Sequence, residues 1–121
     1  TRARNLRALT FAAAEIRKMK SRGVAMWGAG RIFDSLVVHG HFDPRALTLL
    51  IDKHLKPHVS ERHGCAVSGP EALVGANTEI VIIMSRSFAK EIADEVRCLA
   101  PNAEIILYAD LLARAHTRMA A

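Results

Sequence analysis

The chain has 121 residues, half of them hydrophobic, with 17 Lys and Arg against 12 Asp and Glu and two Cys. A chain of this length buries about two-thirds of its unfolded surface, so a single domain that folds without metal or disulfide is expected and intrinsic disorder is excluded. The formal charge of +5 is concentrated: Arg2, Arg4, Arg7, Arg17, Lys18, Lys20 and Arg22 stand against Glu15 alone in the first 23 residues, leaving ten basic and eleven acidic residues in the rest.

With one Trp, one Tyr and four Phe there is little aromatic surface on which bases could stack, and no nucleic-acid partner is expected. No run approaches the roughly 18 to 20 apolar residues of a membrane helix, and no membrane partner is expected either. The N-terminus lacks the continuous apolar core of a secretory signal. Cys65 and Cys98 stand 33 positions apart with no Cys-x-x-Cys pattern, which points to a reducing, cytoplasmic compartment. A chain that begins with Thr1 rather than Met suggests a piece of a longer protein.

Leu6, Leu9, Ala13, Ile16 and Met19 recur at three- and four-residue spacing, so residues 1–23 are expected to form a basic amphipathic connecting helix closed at Arg22-Gly23. Residues 24–121 then carry the main domain. Val24 to Trp27 is a short apolar strand, Gly28-Ala29-Gly30 a tight turn, and Arg31 to about His39 a helix. Leu47 to Ile51 predicts a second strand stopped by Asp52, followed by a polar loop from Lys53 to Gly64. Cys65 to Val67 predicts a third strand, and Ser68-Gly69-Pro70-Glu71 has the Ser-x-x-Glu spacing of a capping box before a brief helix. Ile80 to Met84 is β-branched and apolar on both faces, the pattern of a buried strand. Ser87 is expected to cap a helix running to about Leu99, Pro101-Asn102 to break it, Glu104 to Tyr108 to form a last strand, and Asp110 to cap a final helix.

Apolar strands alternating with helices imply an α/β, Rossmann-like domain of three layers, with a mostly parallel sheet of about five strands in the order 3-2-1-4-5. The binding crevice of such a sheet lies at the carboxyl ends of its first and fourth strands, where the order reverses.

Gly28, Ala29 and Gly30 sit at that crevice, where the first glycine permits a tight turn and the second lets a ligand phosphate approach the backbone amides at the positive helix end; Arg31, first in the helix, could meet a phosphate or merely be solvated. A turn that binds nothing is the alternative. Phe33 replaces the third small residue of the dinucleotide fingerprint and should hold the helix off the sheet or fill part of a pyrophosphate's space. Asp52 lies 24 residues after Gly28, where an acidic side chain commonly accepts from a ribose; it could instead cap the following loop. Lys53, Ser85 and Arg86 complete the candidate nucleotide-binding set, Arg86 because a guanidinium can grip phosphate bidentately. The spacing of His54, His58, His63 and Cys65 does not match the tight ligand pairs of structural zinc sites, so no metal is expected. No nucleophile has a partner placed beside it, and no catalytic residue is assigned.

Taken in order, Val24-Ala25-Met26-Trp27-Gly28-Ala29-Gly30, Leu50-Ile51-Asp52-Lys53, Gly64-Cys65-Ala66-Val67, Pro70-Glu71-Ala72-Leu73, Ile80-Val81-Ile82-Ile83 and the helix from Phe88 resemble the C-terminal Rossmann-like domain of sugar C-methyltransferases, and more loosely the nucleotide-binding domains of other nucleotide-sugar-modifying enzymes. The likeness covers about residues 24–112. It implies an accessory domain that helps hold a nucleotide-sugar through Gly28, Gly30, Asp52 and Arg86. S-adenosylmethionine and the catalytic groups would belong to a preceding domain, so this chain alone needs no cofactor and transfers no methyl group. The expected partners are a nucleotide or nucleotide-sugar, the remaining domains of a longer polypeptide and a second copy in a homodimer. An NAD(H)- or CoA-binding sensor module and a ligand-free structural or dimerisation domain are the alternatives.

Overall fold

The computed structural model describes residues 1–120. Helix α1 (Arg2–Lys18) starts at Thr1, whose hydroxyl accepts from the Arg4 amide at 3.2 Å, and ends with Arg17 and Lys18 at the negative end of its dipole. Its buried face is formed by Ala8, Ala12, Ala13 and Ile16, whereas Leu6, expected inside, is exposed. Alanines let a neighbour approach closely, and α1 lies against both α2 (Arg31–Val38) and α4 (Tyr108–Ala120). The helix stops before Gly23. Met19 is its last capping residue, a 3-10 turn covers Lys20–Arg22, and Gly23 closes that turn at φ +78°.

Six strands form one sheet: β1 (Val24–Trp27), β2 (Leu49–Ile51), β3 (Glu61–Arg62), β4 (Cys65–Ser68), β5 (Ile80–Ile83) and β6 (Glu104–Leu107). Their order is β3-β4-β2-β1-β5-β6, with every pairing parallel except β3 with β4. The expected strand count and order are corrected by the addition of β3. Glu61 and Arg62 are polar, and only their antiparallel pairing with Ala66 and Cys65 makes them a strand at the sheet edge. All of β1 and β5 is buried, as continuous apolar runs in a sheet covered on both faces require.

Successive residues of a strand point to opposite faces, and the core divides accordingly. Val24 and Met26 pack with Phe33, Leu36, Ile16 and Leu111 under α1, α2 and α4. Ala25 and Trp27 pack with Leu73 and Val96 under a 3-10 turn (Pro70–Leu73) and α3 (Ala89–Leu99). The α1 helix therefore belongs to the same core as the sheet.

Three capping expectations are corrected. The Pro70–Leu73 turn begins at Gly69, with no side-chain cap from Ser68, because Pro70 already takes the first position. Helix α3 begins after Phe88, and the amide of Phe88 is taken by the Ser85 hydroxyl at 3.1 Å rather than by Ser87. Helix α4 follows β6 without a loop, so Asp110 falls inside its first turn.

Candidate functional site

The register aligns Trp27 with Ile51 on one side and Ile83 on the other, so Gly28, Asp52 and Met84 emerge together at the carboxyl end of the three central strands. Gly28 is at φ +128°, and its amide donates to the Ile51 carbonyl at 2.7 Å. A Cβ there would lie 2.8 Å from the Met84 Cβ. Both the conformation and the close approach require glycine at this position. Gly30 has no atom within 4 Å of where its Cβ would stand, and it opens α2 without a side-chain cap.

The carboxylate of Asp52 closes the loops around this turn. Its Oδ2 accepts from the Ala29 amide at 2.9 Å, and its Oδ1 accepts from the amides of His54 at 3.0 Å and Leu55 at 2.9 Å. Ala29 is fully buried, so its amide depends on this partner. Asp52 therefore caps the following loop, and the Ala29 amide of the glycine turn is already satisfied by the protein.

Asp34, in the first turn of α2, pairs with the Arg62 guanidinium and with His63 Nε2 at 2.8 Å. The Arg62 hydrogen bond outweighs partial burial, and with the contribution of His63 it holds the Asp34 carboxyl below its ordinary value. The His63 ring also stands edge-on to Phe33, with centroids 5.7 Å apart. These contacts fasten the basic loop and β3 onto the start of α2. Phe33 itself is fully buried and fills the space between helix and sheet.

The expected site residues fall into two groups. Gly28, Ala29, Gly30, Arg31 and Asp52 come together at the turn. Ser85 and Arg86 follow Met84, which touches Gly28; Arg86 is exposed with no carboxylate partner among the described residues. Lys53 turns away from this group. Its ammonium pairs with Glu95 of α3 at 3.3 Å, beside a hollow of about 380 Å³ lined by Lys56, Pro70 and Leu99. The Asp34, Arg62 and His63 cluster was not anticipated, although a carboxylate in a first helical turn and a basic loop are both visible in the sequence. Phe88, two residues after Arg86, caps α3 and is 62% exposed.

Among the described residues no group of three or more His, Cys, Asp or Glu side chains is arranged to hold a metal ion, and no helix is long and apolar enough to cross a membrane. Comparisons with protein-family models, curated proteins and solved structures find no match to this chain.

Proposed function

We propose that the chain is a nucleotide-binding module suited to the diphosphate of a nucleotide-linked sugar, serving within a larger transferase of the kind its sequence resembles. The observation that carries this reading is the uncapped start of α2 at Gly30, open to approach and placed where β1 lies between β2 and β5. Backbone amides and the helix dipole at such a point favour an anion. Arg31, first in α2, and Arg86, after β5, are exposed cations available to such an anion, and pairing with Arg62 offsets the carboxylate that Asp34 places near the helix end. Asp52 keeps acceptor capacity on Oδ2 for a ribose hydroxyl, since a carboxylate oxygen has two lone pairs and one is used by Ala29. Methyl transfer is not assigned to this chain; the methyl donor belongs to a separate domain in the resembled enzymes.

Thermal unfolding of the folded chain with TDP-, UDP- and GDP-sugars tests the proposal. A ligand present at a hundred times its Kd stabilises the fold by about 2.7 kcal/mol, several degrees in Tm. An unchanged Tm across the panel removes the reading.

A ligand-free structural module is the second reading, and two observations favour it: the Asp52 carboxylate is engaged by three backbone amides, and Phe33 fills the helix–sheet space. It predicts a silent nucleotide panel together with self-association that survives Gly30→Asp.

A further inference from the structure

At the opposite end of the sheet, where β1 and β2 begin, a hollow of about 480 Å³ lies between the C-terminal half of α1 and the loop entering β2. Its apolar floor comprises Ala13, Phe42 and Ala46, all buried. Gly40 brings the loop down onto the helices, since a Cβ there would stand 2.6 Å from the Leu36 carbonyl oxygen and 2.9 Å from that of Leu9. Arg17, Lys20, His41 and Arg45 stand around the rim with Asp43 as the single carboxylate.

The pairing of these cations is uneven. Asp43 takes Arg45 through both carboxylate oxygens, Oδ1 at 3.2 Å to Nε and Oδ2 at 3.0 Å to Nη2, and this contact, with a smaller contribution from the Lys20 ammonium, holds the Asp43 carboxyl below its ordinary value. Farther along the same basic segment, Lys18 pairs with Glu15, and Arg22 with Glu79 and Glu104. Among the described residues Arg17 and Lys20 have no carboxylate within ion-pair distance, and both line the hollow. Arg17 and Lys20, two of the cations of this segment without a carboxylate partner among the described residues, thus converge on one concavity with an apolar floor.

We propose that this hollow binds a small organic phosphate, its phosphoryl group between Arg17 and Lys20 and its carbon skeleton on Phe42 and Ala46. A guanidinium and an ammonium together suit a dianion, and the volume falls in the range of small-molecule sites, about 300 to 1,000 Å³. Two free cations are too few to hold a nucleic acid at physiological salt. The site is separate from the glycine turn and does not rest on the nucleotide reading.

The test is an amide NMR titration of the full chain with glycerol 3-phosphate, against inorganic phosphate, glycerol and sodium chloride at matched ionic strength. The expected result is saturable shifts in residues 17–20 and 40–46 with glycerol 3-phosphate, weaker ones with inorganic phosphate, and at least tenfold weaker binding in the Arg17→Glu/Lys20→Glu variant. Arg17→Gln/Lys20→Gln replaces the charge reversal if that variant does not fold. Stronger binding of inorganic phosphate than of the organic ester overturns the role of the apolar floor. Shifts that follow ionic strength, persist in both variants or do not occur overturn the site itself. The amides of Ala29 and Arg31 report the glycine turn independently in the same spectra.

Discussion

Replacing Gly28 by alanine isolates the strand-to-helix turn on which the candidate site is built. At φ +128° a residue with a Cβ is strained, at a cost of about 1–3 kcal/mol. The new methyl would also stand 2.8 Å from Met84 Cβ and 3.3 Å from its Cγ. Met84 cannot withdraw easily, because it is buried and its amide donates to the Trp27 carbonyl at 3.0 Å; such overpacking adds about 1–3 kcal/mol. Gly28→Ala should therefore lose about 2–6 kcal/mol, out of a total of roughly 6–18 kcal/mol expected for this chain length. Urea unfolding can be followed by the fluorescence of Trp27, the only tryptophan, which is buried and adjacent to the turn. Gly30→Ala is the control, with a change within about 1 kcal/mol, since its methyl meets nothing and only the capping preference is altered. A Gly28→Ala loss below about 1 kcal/mol, or equal losses at both glycines, would refute the described turn.

Asp52→Ala should cost about 2–3 kcal/mol in the same assay, chiefly because the buried Ala29 amide loses its acceptor, while water can replace the carboxylate at the exposed His54 amide. Asp34→Asn should be less stable than the parent near neutral pH by up to about 1 kcal/mol. Because pairing with Arg62 lowers the folded-state value, the Asp34 contribution is complete above the ordinary 3.8 and disappears as pH falls through the lowered value; a difference independent of pH contradicts the pairing. Among the described residues the buried Tyr108 hydroxyl has no hydrogen-bond partner, so Tyr108→Phe should be neutral or stabilising by about 1 kcal/mol. As the only tyrosine, Tyr108 should also resist ionisation until about pH 12, because burial disfavours its phenolate; phenolate absorbance appearing near pH 10 while the chain remains folded contradicts that burial.

Much of the architecture was legible because β1 and β5 are uninterrupted apolar runs and the helices between strands keep their periodicity. The turn glycines and Asp52 were placed at the carboxyl ends of β1 and β2 because those positions follow from where apolar runs stop. Strand β3 was not legible, because Glu61 and Arg62 gain strand structure only by pairing with Cys65 and Ala66. The caps were misplaced where a competing local choice won, as when Ser85 rather than Ser87 met the amide of Phe88. The meeting of Asp34 with Arg62 and His63 depends on the hairpin folding back across α2, which no local pattern encodes. The split of positive charge is also sharper in three dimensions: Lys18 and Arg22 have carboxylate partners, while Arg17 and Lys20 face a hollow.

The most direct test of anion binding at the glycine turn compares nucleotide-sugar binding by the parent chain and Gly30→Asp. The aspartate has room, supplies a preferred helix cap and adds negative charge at the start of α2, so the variant should remain folded and gain about 0.5–1 kcal/mol. That same carboxylate occupies the approach of a phosphate. Anion binding at the turn requires saturable binding by the parent and at least tenfold weaker binding by this equally or more stable variant. Equal affinity in the two proteins, or no binding by the folded parent, would contradict it.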